Sequence, residues 1–155
     1  MVPVKDVMTT KVISFREDTP VEEIARQLSK KRITGAPVVN EDGFVTGIVS
    51  EVDVFSKRGS TAGDIMSARV ISITEDTGID DAARLLAGER IRRLPILRHG
   101  KLVGLLSRSD VLDFFATRQW ACRSCGHAQH GLEAPERCPV CSGTDFALER
   151  AHPKH

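Results

Sequence analysis

Apolar and polar positions alternate in blocks along this chain, and the blocks come twice. Val12, Ile13 and Phe15 form a short apolar run, and Val70, Ile71 and Ile73 form another; each predicts a strand. Val21, Ile24, Ala25 and Leu28 then fall on one face of a helical period, as do Ile79, Ala82, Ala83 and Leu86. Thr19 stands as an N-cap, with Pro20 in the first turn and Glu22 at the capping-box position; Thr77, Gly78 and Asp80 give a weaker version. A strand next enters through a proline, at Ala36-Pro37-Val38-Val39 and at Leu94-Pro95-Ile96-Leu97. Proline lacks an N–H and suits a strand's first residue or an edge. Turns at Asp42-Gly43 and His99-Gly100 lead into strands over 44–49 and 102–106. A second helix begins at Ser50 and at Ser107, and Ser60, Thr61, Ala62 and Gly63 separate the copies.

The literal repeat confirms the block pattern. Asp6-Val7-Met8 returns as Asp64-Ile65-Met66, and Val12-Ile13-Ser14 as Val70-Ile71-Ser72. The period, about 58 residues, is long enough for a small packed unit. Each unit reads strand, helix, strand, strand, helix. The expected class is α/β (α+β), with two units related by a pseudo-twofold axis and a cleft on that axis able to hold a ligand. The 155 residues are 41% hydrophobic, and the net charge is +1. Such a balance gives no global attraction to nucleic acid or to an anionic membrane. The start lacks the apolar run of a signal peptide, and no stretch is long enough to span a bilayer. A cytoplasmic location is therefore expected.

The repeat resembles a tandem pair of cystathionine-β-synthase (CBS) domains. The Asp-Val-Met and Asp-Ile-Met openings carry the resemblance, with Arg32-Ile33-Thr34-Gly35-Ala36-Pro37 and Gly47-Ile48-Val49-Ser50-Glu51-Val52-Asp53 in the first copy. In the second copy, Ile91-Arg92-Arg93-Leu94-Pro95 and Gly104-Leu105-Leu106-Ser107-Arg108-Ser109-Asp110 match. The resemblance covers about residues 3 to 118. It implies units over 1–59 and 60–118, clefts that take AMP, ADP, ATP or an S-adenosylmethionine-like ligand, and a homodimer built through the pair.

It also implies site residues. Ser107, Arg108 and Asp110 bring a hydroxyl, a guanidinium and a carboxylate to the start of a helix, where N–H groups can receive phosphate and a carboxylate can accept from ribose hydroxyls. Arg92 and Arg93 offer planar donors for phosphate, or else a solvated basic edge. In the first copy Ser50 and Asp53 remain, but Glu51 replaces the arginine, and Thr34 and Gly35 replace the arginine pair. A carboxylate repels phosphate, so unequal sites are expected, with the phosphorylated ligand at Asp110. Thr10, Ile13, Ile71, Pro37 and Pro95 are candidate walls by position. Ser-x-x-Asp is equally a helix-capping box, and the two roles are compatible.

Beyond Trp120 the pattern changes to Cys122-x2-Cys125-x12-Cys138-x2-Cys141. Two such knuckles can converge four thiolates on a tetrahedral ion. A segment as short as 119–155 needs that staple. It resembles the rubredoxin-like knuckle of rubrerythrins, through Cys125-Gly126, Gly131, Ala134-Pro135-Glu136, Cys138-Pro139 and Phe146, with His127 where an aromatic tyrosine is common. The resemblance admits iron, a generic ribbon admits zinc, and thiolates accept either. His127 and His130 are expected to face solvent, and Ala151 to His155 to fray.

No P-loop, nucleophile elbow or paired nucleophile and base is visible. The reading is a non-enzymatic regulatory module that binds an adenosine ligand and acts on an unidentified effector protein. Two alternatives stand beside it. One is a rubredoxin-like electron carrier gated by the CBS pair. The other is a nucleic-acid-binding regulator using the ribbon, where Arg123, Arg137 and Arg150 are offset by Glu133, Glu136, Asp145 and Glu149.

Overall fold

The computed structural model describes residues 1–151; residues 152–155 of the expected frayed end lie outside that range. After a 3₁₀ turn at Val4–Asp6, the first repeat contains α1 (Val21–Lys31), β1 (Gly35–Val39), β2 (Val45–Ser50) and α2 (Glu51–Ser56). The second contains α3 (Ala62–Ile65), β3 (Ile73–Thr74), α4 (Ile79–Gly88), β4 (Arg93–Arg98), β5 (Lys101–Ser107) and α5 (Arg108–Thr117). The tail adds β6 (Arg118–Cys122), β7 (Ala128–Gln129) and β8 (Phe146–Arg150), in the sheet order β7-β6-β8.

Three sequence expectations change. The opening strands shrink to a single parallel rung between Phe15 and Val38 and to the two residues of β3, which pair in parallel with Ile96 and Leu97. The first opening segment touches β1 at one residue, where Phe15 N–H donates to Pro37 and its carbonyl accepts from Val39. The helix caps also move. Thr19 Oγ1 accepts from Arg16 N–H at 3.1 Å and closes a turn ahead of α1, so the cap position falls on Pro20. A capping box needs an N–H at the cap, and proline has none. In the second repeat the cap is Gly78, which has no side chain to offer. Third, the segment between the repeats is partly helical: α3 starts there, and the Asp64 carboxylate accepts from the N–H groups of Ser60 and Thr61.

The chain falls into two compact units. One holds Met1–Met8, Asp76–Leu94 and the chain from Leu106 onward, and the other holds Thr9–Glu75 and Pro95–Leu105. In the second of these, Ile24 and Leu28 of α1 pack with Phe15, Val38, Val49 and Ile65. These are the i, i+4 positions of the predicted apolar stripe. Each such buried side chain contributes roughly 1.5–3 kcal/mol. β1 and β2 pair antiparallel, Gly35 opposite Ser50 and Pro37 opposite Ile48, with an irregularity after Val38. Ile48 exchanges two 2.9 Å backbone hydrogen bonds with Ser67. That approach requires Gly47, because a Cβ there would lie 2.9 Å from the Ser67 carbonyl oxygen.

In the other unit the core is Val2, Ile79, Phe114 and Trp120, with Val111, Leu132 and Phe146 against it. The tail therefore shares a core with α4 and α5 instead of building its own. Trp120 Nε1 donates to the Gly131 carbonyl at 3.1 Å, which satisfies its buried N–H. No helix among the described residues is long and apolar enough to cross a membrane.

Candidate nucleotide half-sites and metal centre

Both Ser-x-x-Asp turns are capping boxes, as the sequence allowed. At the second, Ser107 Oγ accepts from Asp110 N–H at 3.2 Å, and Asp110 Oδ2 accepts from Ser107 N–H at 2.9 Å. At the first, the same pair of bonds links Ser50 and Asp53 at 3.3 and 2.8 Å. The helix that follows is tied in the same way in each copy to the residue just ahead of the first hairpin strand. Arg108 N–H donates to the Arg92 carbonyl at 3.1 Å, and Glu51 N–H to the Thr34 carbonyl at 2.9 Å. The fold thus brings Arg92, Ser107, Arg108 and Asp110 to one turn, and Thr34, Gly35, Ser50 and Asp53 to another.

The side chains then diverge. Arg108 Nε donates to the Ile91 carbonyl at 2.9 Å, so this guanidinium is held along the strand start with its terminal nitrogens beyond that bond. Arg92 is exposed and Arg93 half-buried. Among the described residues no ion pair involves Asp110. Asp53, by contrast, pairs with Lys57 at 2.8 Å. Of the candidate walls, Pro37 and Pro95 are fully buried within their strands. Ile13 packs on the core of its unit, Ile71 is half-buried and Thr10 is exposed.

The tail converges its cysteines. The four Sγ atoms of Cys122, Cys125, Cys138 and Cys141 lie within 4.8 Å of one another. Cys122 and Cys141 are 3.5 Å apart, and Cys125 and Cys138 3.6 Å. A tetrahedral ion with metal–sulfur bonds of about 2.3 Å spaces its sulfurs by about 3.8 Å, so the donor set fits a tetrahedral metal. The loops aim N–H groups at the sulfurs: Val140 at Cys138 and Gly143 at Cys141, both at 3.4 Å.

The thiols split accordingly. The Cys125 N–H, aided by that of Ser124, draws Cys122 down to about 6. At Cys141 the Gly143 N–H pulls the same way, but the sulfurs of Cys122 and Cys125 prevail and push it up to about 12. Four sulfurs this close cannot all ionise without a cation among them.

Sequence reasoning missed two residues here. Lys57 carried a signal, an acid and a base four apart on a helix. His130 carried none. It is exposed as expected, yet its Nδ1 lies 2.7 Å from the Phe115 carbonyl and 2.8 Å from that of Arg118, and its ring stacks on Phe115. It ties the ribbon to the end of α5, and the pairing depends on tertiary folding that no local pattern announces.

The family model described as CBS domain matches residues 4–59 and 62–117. The chain belongs to the CBS-domain family. A second model, rubrerythrin, rubredoxin-like domain, matches residues 120–144. This CBS pair is 37% identical over 103 residues to inosine-5'-monophosphate dehydrogenase of Thermoplasma acidophilum, covering 65% of this chain and 21% of that enzyme. It is 30% identical to the CBS domain-containing protein YhcV of Bacillus subtilis, covering 83% of this chain and 93% of YhcV. The chain thus spans about a fifth of the one and nearly all of the other. Among solved structures, CBSX2, an Arabidopsis thaliana protein, in complex with AMP superposes with a TM-score of 0.70 at 30% identity, over 72% of this chain and 94% of that one. The CBS pair of protein MJ0100, in complex with 5'-methylthioadenosine and S-adenosyl-L-methionine, gives 0.69 at 26% identity, over 74% and 96%.

Proposed function

We propose that this protein is a non-enzymatic, cytoplasmic regulatory module that binds an adenine nucleotide at the Ser107–Asp110 turn and carries one metal ion in its tail. The observation that carries the reading is the likeness to a CBS pair crystallised with AMP, over 72% of this chain. Asp110 spends one bond on capping and keeps acceptor capacity for a ribose diol. The α5 N-terminus and the nearby Arg92, Arg93 and Arg108 supply N–H groups and positive charge for phosphate. Ser107 completes the turn. Ser50, Asp53, Thr34, Gly35, Pro37, Ile13 and Thr10 make the corresponding set in the first repeat.

The working division is 1–59 and 60–118 for the CBS units and 119–155 for the ribbon. Cys122, Cys125, Cys138 and Cys141 hold zinc or iron, which when bound neutralises the thiolates and staples the tail. An iron-loaded protein would absorb visible light through its thiolates, and a colourless one would carry zinc and remove the electron-carrier alternative. A homodimer through the pair is supported by Phe55 and Leu112, 76% and 66% exposed at matching positions of α2 and α5. An effector protein reads the module.

The test is thermal denaturation with AMP, ADP, ATP and S-adenosylmethionine. Binding to the folded state raises the midpoint, by an amount equivalent to about 2.7 kcal/mol at a hundredfold excess over Kd. Asp110→Ala is expected to abolish most of that shift while the unliganded protein stays folded. Equal shifts in both proteins would refute the assignment.

A further inference from the structure

The first repeat carries its own competitor for the ligand's ribose. Lys57, at the end of α2, places its ammonium 2.8 Å from Asp53 Oδ1 and 3.1 Å from the Ile65 carbonyl. The other carboxylate oxygen of Asp53 accepts from Ser50 N–H at 2.8 Å and from Ser50 Oγ at 3.0 Å. The Asp53 side chain is 13% exposed, while that of Lys57 is 46% exposed. A carboxylate has about four lone-pair sites. Three donors already use those of Asp53, and a ribose diol brings two more.

The second repeat lacks the competitor. Aligned on Ser50 and Ser107, the position of Lys57 is taken by Phe114, which turns into the apolar core. Ser107 Oγ there bonds to Ser109 Oγ at 2.8 Å. Among the described residues, the Asp110 carboxylate is left with the single donor Ser107 N–H. The two repeats present the same turn, open in one and internally satisfied in the other.

We propose that Lys57 decides which repeat takes the adenosine ligand: it occupies the Asp53 carboxylate and leaves Asp110 as the ribose acceptor. This rests on the adenosine reading given above and adds the residue that makes the two half-sites unequal. The half-exposed ammonium is the displaceable part. Removing it frees one acceptor site on Asp53, which leaves two open, and one carbonyl on Ile65. Charge-assisted contacts are the strong class of hydrogen bond, so the first half-site should gain roughly tenfold in affinity.

The experiment is calorimetric titration of the full chain, metal-loaded, with AMP. Wild type is expected to bind one AMP per chain and to lose it after Asp110→Asn. Titrated with adenosine, which lacks the phosphate that Glu51 repels, Lys57→Met is expected to add a second binding event, which disappears on adding Asp53→Asn. Lys57→Phe copies the second repeat and serves if the methionine variant does not fold. Wild type taking two AMP with similar affinity, or both Lys57 variants still taking one adenosine, overturns the role of Lys57 and leaves Asp110 standing. Wild type that binds no AMP, or binds it unchanged after Asp110→Asn, overturns the adenosine reading, and the role of Lys57 falls with it.

Discussion

At Ser50–Asp53 and Ser107–Asp110 one backbone turn is built twice, and the surroundings of its carboxylate differ. Asp53 is closed by a serine hydroxyl and a lysine, while Asp110 keeps a single donor. The helices that follow also differ. α2 has six residues and ends at Ser56, whereas α5 has ten and meets the metal ribbon at its far end. A duplicated frame keeps its backbone bonds and specialises through side chains four residues further along. Here the specialisation leaves the turn with the less occupied carboxylate on the helix that is anchored at both ends.

The largest test of that contrast is removal of the metal. Structural thiolate sites fold with their ion and unfold without it. Chelation should melt β6–β8 and expose Trp120, seen as a red-shifted fluorescence maximum. Amide exchange in α5 should rise by more than in α2, because α5 loses Trp120 against Phe114 and His130 against Phe115. Equal changes in the two helices would break the comparison.

A second contrast lies within the ribbon. Gly126 and Ser142 each follow the second cysteine of a knuckle, and both have positive φ, 82° and 64°. Each donates its N–H to the carbonyl of its knuckle's first cysteine at 2.9 Å. A left-handed serine is strained by roughly 1–2 kcal/mol, part of which glycine returns as chain entropy. Ser142→Gly should therefore stabilise the metal-bound protein by about 0.5–1 kcal/mol in urea unfolding. Gly126→Ser should do the reverse.

The smallest expected effect concerns acid. The N–H groups of Ser60 and then Thr61 hold the Asp64 carboxyl below its ordinary value near 3.8. A depressed value means the ionised form stabilises the fold. That contribution is present above about pH 4 and fades as pH falls through the lower folded value. Asp64→Asn should flatten this acid limb of the urea-unfolding profile, and an unchanged limb would remove Asp64 as its source.

Much of this was legible in the sequence because it is local or literally repeated. The apolar stripes of α1 and α4, the proline-entered strands, the Ser-x-x-Asp turns and the knuckle spacing all depend on neighbours a few residues away. The parts that misled were those where a neighbour's chemistry overrides the pattern. Pro20 cannot close the box that Thr19 and Glu22 spell out, and the runs at 12–15 and 70–73 meet their partners over one or two residues. The shared core of Trp120, Phe114 and Ile79, and the His130 anchor, join residues far apart in the chain, and spacing carries no trace of them.

The most direct measurement is a crystal structure of the metal-loaded protein grown with AMP. The account predicts ribose hydroxyls within hydrogen-bond distance of the Asp110 carboxylate, phosphate at the start of α5, and the Asp53–Lys57 pair intact. AMP seated on Asp53 with Lys57 displaced, or absent from the Ser107–Asp110 turn at saturating concentration, would contradict it.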